Sequence, residues 1–165
     1  MKKLLPTMLL LAVVYFFGSC SSDSVENSNV SKSELVTEYN YNVSELEVLQ
    51  LINEYRVSIG LNALVTVNHI SFKSEEHDNY MITNKVVNHN DFVARSENII
   101  AVLGAKKVGE NVAYNYQTAE GVLRAWLDSP THKQNIEGDY THFGIAVKID
   151  AETGKKYYTN IFAKI

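Results

Sequence analysis

Four residue types in this chain can move a proton or hold a cation near neutral pH: His, Glu, Asp and Tyr. The histidines stand at positions 69, 77, 89, 132 and 142. His69 opens a helix and His77 sits mid-helix among acids, so both read as solvated. His142 begins an alternating strand and reads as facing out. His89 and His132 have more suggestive neighbours. His89 lies in "VVNHNDF", a polar stretch between two helices, where loops carry sites. His132 lies in "AWLDSPTHKQNI", just after Ser129-Pro130 breaks an apolar run ending in Trp126. Between them "VGENVAYNY" holds Glu110, where Gly109 permits a turn and Val108 and Val112 flank the carboxylate. Burial there disfavours the charged form unless a donor or cation pairs with it, and two imidazoles would suit. Spacings of 21 residues from His89 to Glu110 and 22 from Glu110 to His132 match no compact metal motif, and no H-E-x-x-H occurs.

The elements that must position these residues are readable from their periods. "NVSELEVLQLINEYRVSIGLNAL" predicts a first helix. Ser44 and Glu47 form its capping box, Leu46, Leu49, Ile52 or Asn53, and Arg56 follow at helical spacing, and Gly60 stops it. Ile70 to Thr83 predicts a second helix and Asp91 to Gly104 a third. "TAEGVLRAWLDS" predicts a fourth, capped by Thr118, with Glu120 in its first turn where acids suit the helix dipole. Pro130 ends it and can seed a further turn through Asn135. The period then changes. "HFGIAVKID" and "KKYYTNIFAKI" alternate around the turn residues "DAETGK", so an antiparallel hairpin closes the chain. Helices first and strands last argue an α+β fold. Trp126 and Tyr114 are expected to pack the helix that supports the site rather than touch a ligand.

The ends and the composition bound the rest. The 165 residues suffice for one domain with a real core. Residues 1–19 carry Lys2 and Lys3, an apolar run and small residues before Cys20, a secretory signal too short to be a settled membrane span. Cys20 follows Gly18-Ser19, where bacterial lipoprotein signals place the residue to be lipidated, although Phe17 is a looser choice than the usual Leu. Plain cleavage nearby is the alternative. Cys20 is the only cysteine, so the domain must hold itself together without an internal disulfide. Residues 20–43, rich in Ser, Asn and acids, read as a flexible tether, with a short strand near Val36–Tyr41 as the alternative. Residues 44–165 form the domain. Removing 1–19 leaves 13 basic against 19 acidic residues, a formal charge of −6. No basic cluster is present, which argues against nucleic acid as a partner. The expected membrane link is the acyl chain on Cys20, at a bacterial cell envelope.

The order "NHNDF…R", "GENVA", "AWLDSPTHKQNI" and "FGIAV…YYTNIF", with "LINEYRVSIGLNALVTV" at the front, resembles the CAP/SCP superfamily, which includes cysteine-rich secretory proteins, venom antigens and plant pathogenesis-related proteins. It is most similar to that superfamily's bacterial branch, across about residues 44–165. The resemblance implies a three-layer α-β-α sandwich with a central antiparallel sheet and a large cleft carrying two histidines and two acids. It makes His89 the first histidine, Glu110 the Gly-Glu-Asn acid and His132 the second histidine. The second acid of eukaryotic members falls at Ser129, as is common in the bacterial branch, and Asp128 could partly substitute if it points inward.

Three functions follow from such a cleft. The first is a binding module for a divalent cation such as zinc, a lipid or another small ligand. His89 and His132 would be the metal ligands, with Glu110 bound directly or as an outer partner. The second is a metal- or Glu/His-dependent, peptidase-like hydrolase with Glu110 as the base. It is weakened because Ser129 lacks the sharp Gly-x-Ser-x-Gly context and the second acid is gone. The third is a structural envelope domain whose polar cluster only satisfies the cleft floor. The binding module is the expected reading.

Overall fold

Two competing capping signals meet at the start of the first helix, and the earlier one wins. The computed structural model describes residues 34–165, and in it α1 (Val43–Ser58) is capped by Asn42. The Asn42 side chain accepts from the Glu45 amide, and Glu45 returns the bond to the Asn42 amide. The expected Ser44/Glu47 box is therefore corrected by two residues. The reason is tertiary: the Glu45 carboxylate also accepts from the Val147 amide at 2.9 Å, and Asn42 donates to the Val147 carbonyl. This register turns Leu46 out to solvent and buries Val48, Leu49, Ile52 and Arg56. Past the helix end, Gly60 takes φ +82°, a left-handed conformation that costs glycine little.

The remaining elements are β1 (Val65–Thr66), α2 (Asn68–Asn84), α3 (Phe92–Leu103), β2 (Lys107–Tyr114), α4 (Ala119–Asp128), α5 (Pro130–Ile136), β3 (His142–Ile149) and β4 (Lys156–Lys164). The hairpin of β3 and β4 forms as its alternation predicted. The segment read as a turn at Gly109 is instead β2, a full strand paired antiparallel with β4. The sheet runs β1-β3-β4-β2, antiparallel except for β1, which lies parallel to β3 over two residues.

Alternation along the strands builds three layers. Phe143, Ile145, Val147, Tyr158 and Phe162 face α1, α4 and α5, meeting Val48, Ile52, Val122, Trp126 and Ile136. Ile161 and Ala163 on the opposite face meet Ile70 of α2 and Ile99 of α3, while Val112 and Tyr157 meet Met81. Both faces are thus covered, and the fold is the expected α-β-α sandwich. At Gly144 the sheet touches α2 so closely that a Cβ would collide with the Ser71 amide and the Ile70 backbone.

The signal segment, Cys20 and residues 21–33 lie outside the described residues. From Val36 onward the chain is fastened to α2. The Val36 amide donates to His69 Nδ1, Asn68 donates to the Thr37 carbonyl, and Tyr41 bonds Asn68 and Ser71. No strand forms over Val36–Tyr41.

Candidate functional site

His89 sits on a loop held at both ends and in the middle. Lys85, which caps α2, and Asp91, which precedes α3, both take left-handed backbone conformations, with φ 54° and 59°. Non-glycine residues adopt these only when surroundings over-determine them. The surroundings are identifiable. His77 Nε2 bonds the Asn88 carbonyl at 2.8 Å, Arg95 Nη1 donates to the Asn90 carbonyl, and the Asn90 amide side chain donates to Tyr80 Oη. The loop is pinned rather than loose.

Glu110 projects from β2 toward that loop, its side chain 1% exposed. Arg95, near the start of α3, grips the carboxylate with two bonds, Nε to Oε2 and Nη2 to Oε1, each 2.9 Å. His89 Nδ1 completes the set at 2.8 Å from Oε1. A carboxylate can only accept here, so His89 carries its proton on Nδ1 and leaves Nε2 free. Burial pushes the Glu110 carboxyl up, but the His89 and Arg95 hydrogen bonds and the guanidinium charge outweigh it and hold it below its usual range.

His132 arrives from the other face of the sheet. Thr118 caps α4 by accepting from the Gly121 amide, Ser129 ends that helix, and Pro130 opens α5. Two asparagines fasten α5 to β2. Asn111 donates to the His132 carbonyl, while Asn135 donates both to the Glu110 carbonyl and to Asn111 Oδ1. Gly109 leaves room for this contact, because a Cβ there would strike Tyr140 Oη and come within 2.8 Å of Asn135 Oδ1. Burial lowers the His132 pKa, and nearby His89 lowers it further.

Beside His132 lies a cavity of about 330 Å³. Val112, Ala113 and Tyr114 of β2 form one wall, with Tyr116 beyond; Ala125 and Trp126 of α4, with Ser129 and His132, form the other. Trp126 is buried, its Nε1 donates to the Val112 carbonyl, and it also lines the cavity. Tyr114 does not support that helix; it packs edge-on against Tyr157. Asp128 is exposed at the end of α4 and does not replace the missing acid.

The other histidines correct the sequence reading. His69 and His77 are each 1% exposed, not solvated. His69 accepts from Val36 and bonds Asn98; His77 stacks on Tyr80 and fixes the His89 loop. His142 is half-buried and bonded to Thr141. Arg95, His77, Asn111 and Asn135 are the supporting residues that sequence reasoning missed. Arg95 is the arginine of "NHNDF…R" but was given no role there, while Asn135, one helical turn after His132, and Asn111, adjoining Glu110, carried a positional signal.

Among the described residues no three His, Cys, Asp or Glu side chains converge as a metal cage. Glu110 is occupied by Arg95 and is a poor direct ligand. His89 meets Glu110 through Nδ1, and His132 stands on α5 at the cavity.

The family model "CAP: Cysteine-rich secretory protein family" matches residues 49–162. The membrane protein YlbC of Bacillus subtilis (strain 168) is 31% identical over 130 residues, covering 73% of this chain. The chain spans about a third, 34%, of that relative's length. An outer surface protein of Borrelia burgdorferi superposes with a TM-score of 0.67 at 18% identity, over 78% of this chain and 98% of that one. An extracellular SCP-domain protein of Bacillus anthracis gives 0.65 at 22%, over 74% and 40%. A cysteine-rich secretory protein of Staphylococcus aureus gives 0.62 at 21%, over 78% and 42%.

Proposed function

This chain belongs to the CAP family of cysteine-rich secretory proteins, and from that premise we propose that it is an exported, lipid-anchored binding module of a bacterial cell envelope. Its cleft between β2, α4 and α5 takes a small ligand, a lipid or a divalent cation. The membrane, extracellular and outer-surface descriptions of its relatives support the location. Cys20, after an apolar leader, supplies the anchor. Among the described residues no helix is long and apolar enough to cross a membrane.

The observation that carries the binding reading is the Arg95–Glu110–His89 arrangement. A carboxylate held by a guanidinium and kept below its usual pKa range is a weak base, which disfavours hydrolysis with Glu110 as the proton acceptor. The same arrangement holds His89 through Nδ1, and its Nε2 has no hydrogen-bond partner among the described residues. A bound divalent cation would supply a Lewis-acidic contact for a ligand oxygen.

Zinc titration of the purified protein, followed by thermal unfolding, tests this reading. A concentration of about 100 times Kd stabilises by about 2.7 kcal/mol, which moves the midpoint by several degrees. The shift should vanish in His132→Ala and His89→Ala. Organic extraction and mass analysis cover the lipid arm. No shift in wild type at millimolar zinc, together with no co-purifying molecule, defeats the proposal.

A further inference from the structure

The helix that carries Arg95 rests on the molecule through one narrow face. Of the residues of α3 only Arg95 and Ile99 are buried, while Val93 and Ile100 stand 68% and 42% exposed. Ile99, with half-buried Leu103 beside it, meets Ile70 of α2 and Ile161 of β4. Both flanking residues, Asp91 and Gly104, are left-handed, and the Asp91 side chain makes no cap bond to the first turn. Element-terminal positions of this kind are where a backbone takes up a rotation.

Two polar clasps complete the seat. Spacings of three and four residues put Arg95, Asn98 and Ile99 on the same face. Arg95 clasps Glu110 on β2. Asn98 Oδ1 meets His69 Nε2 at 2.8 Å, and His69 Nδ1 receives the Val36 amide at 3.2 Å. Residues 36–41 lie along α2 as a strap, and His69 is the link that continues from it to α3. The ring joins the two contacts through its proton. An amide can only donate, so Val36 makes Nδ1 the acceptor and leaves the proton on Nε2, where Asn98 Oδ1 accepts it. His69 is 1% exposed, which leaves little access for water in place of Val36. If that amide leaves, Nδ1 becomes a buried acceptor without a donor, and shifting the proton onto it takes the donor away from Asn98. The seated strap and the seated helix therefore favour each other.

We propose that the strap regulates the cleft, with His69 as the positioning residue. While residues 36–41 are seated, His69 and Asn98 hold α3 where Arg95 grips Glu110 and Glu110 fixes His89. Freeing the strap loosens that grip. The coupling runs along a contiguous path, Val36 to His69 to Asn98 to Arg95 to Glu110 to His89, through one element with a seated and a loosened state. As regulation of the cleft it rests on the binding-module reading; the mechanical link does not.

The test uses the isotope-labelled full chain in mild detergent, without metal. Val36→Pro deletes the amide donor, and Asn98→Ala cuts the same link at α3. In each variant the amides from Ile99 to Leu103 should exchange with solvent about tenfold faster than in the wild type, while those of α4 keep their rates. The double variant should match the larger single effect, as expected for two cuts in one path. The Arg95 Nε–H resonance should shift in Val36→Pro although the two residues share no bond, a signature that a merely structural role for His69 would not give. If Val36→Pro fails to fold, Asn68→Ala replaces it, since it removes the strap's bonds at Thr37 and Tyr41. Unchanged α3 exchange with an unmoved Arg95 resonance overturns the coupling. So does acceleration spread equally over α3 and α4, which marks general destabilisation. Zinc stabilisation of the wild type is a separate readout. Its absence defeats the binding reading and leaves the link standing, whereas a failed link with zinc stabilisation intact does the reverse.

Discussion

Replacing Arg95 with methionine isolates the interaction on which the site is built. Methionine keeps much of the aliphatic stem but removes both bonds to Glu110 and the bond to the Asn90 carbonyl. Glu110 is left as a carboxylate with a nearly inaccessible side chain and only His89 to answer it. Removing one partner of a buried pair costs about 3–5 kcal/mol, because the survivor stays buried and uncompensated. For a domain of this size that corresponds to a fall in melting midpoint of roughly 10 °C or more. The pH dependence is the sharper readout. In the wild type the folded-state pKa of Glu110 lies below its unfolded value, so its contribution is present above the usual carboxylate range and is lost as pH falls through the folded pKa. In Arg95→Met burial is no longer outweighed by the guanidinium, and the folded pKa rises. The variant should therefore be most destabilised near pH 7 and approach the wild type as pH falls toward 4. Glu110→Gln in the Arg95→Met background should recover part of the loss at pH 7. Thermal melts of the single and double variants between pH 4 and 8 measure this. A penalty below 1 kcal/mol, or one that stays constant across that range, would refute the assignment of Glu110 as an ionised, guanidinium-held carboxylate.

Asn135→Ala removes the donor shared by the Glu110 carbonyl and Asn111. It should cost about 1–3 kcal/mol in denaturant titration and weaken any zinc effect that depends on His132. Gly109→Ala drives a methyl group into Tyr140 Oη and should destabilise by about 1–3 kcal/mol, with Tyr140→Phe recovering part of the loss in the double variant. The His132 ring should titrate below the usual histidine range by NMR. In His89→Ala it should move upward but stay below that range, because burial is the larger cause.

The parts of the fold legible in the sequence are those decided by local pattern. The alternation of Phe143, Ile145 and Val147 against the turn at 150–155 gave away the hairpin, and Thr118 marked the start of α4. β2 was hidden because its centre is the polar pair Glu110-Asn111, which reads as a break in an apolar run. Both residues are in fact buried, one answered by Arg95 and the other by Asn135. The first helix offered two overlapping capping signals, and only the distant Val147 amide selects between them. Of the residues singled out from the sequence, His89 and Glu110 share a hydrogen bond, and His132 lines the cavity beside α4. Arg95, quoted as the arginine of "NHNDF…R", was given no role, since nothing local distinguishes a helix arginine that faces a strand from one that faces water. His77 looked solvated because Glu75 and Glu76 precede it, yet the helix turns it inward against the His89 loop.

The indole on α4 is tied to the strand that forms the opposite wall of the cavity, and Trp126 is the sole tryptophan of the chain. Beside its tyrosines the native molecule therefore carries one indole fluorophore, and it lines the cavity. Anything that enters, or that loosens the bond to Val112, alters the polarity around that ring. Its emission reports occupancy without a dye or an introduced label.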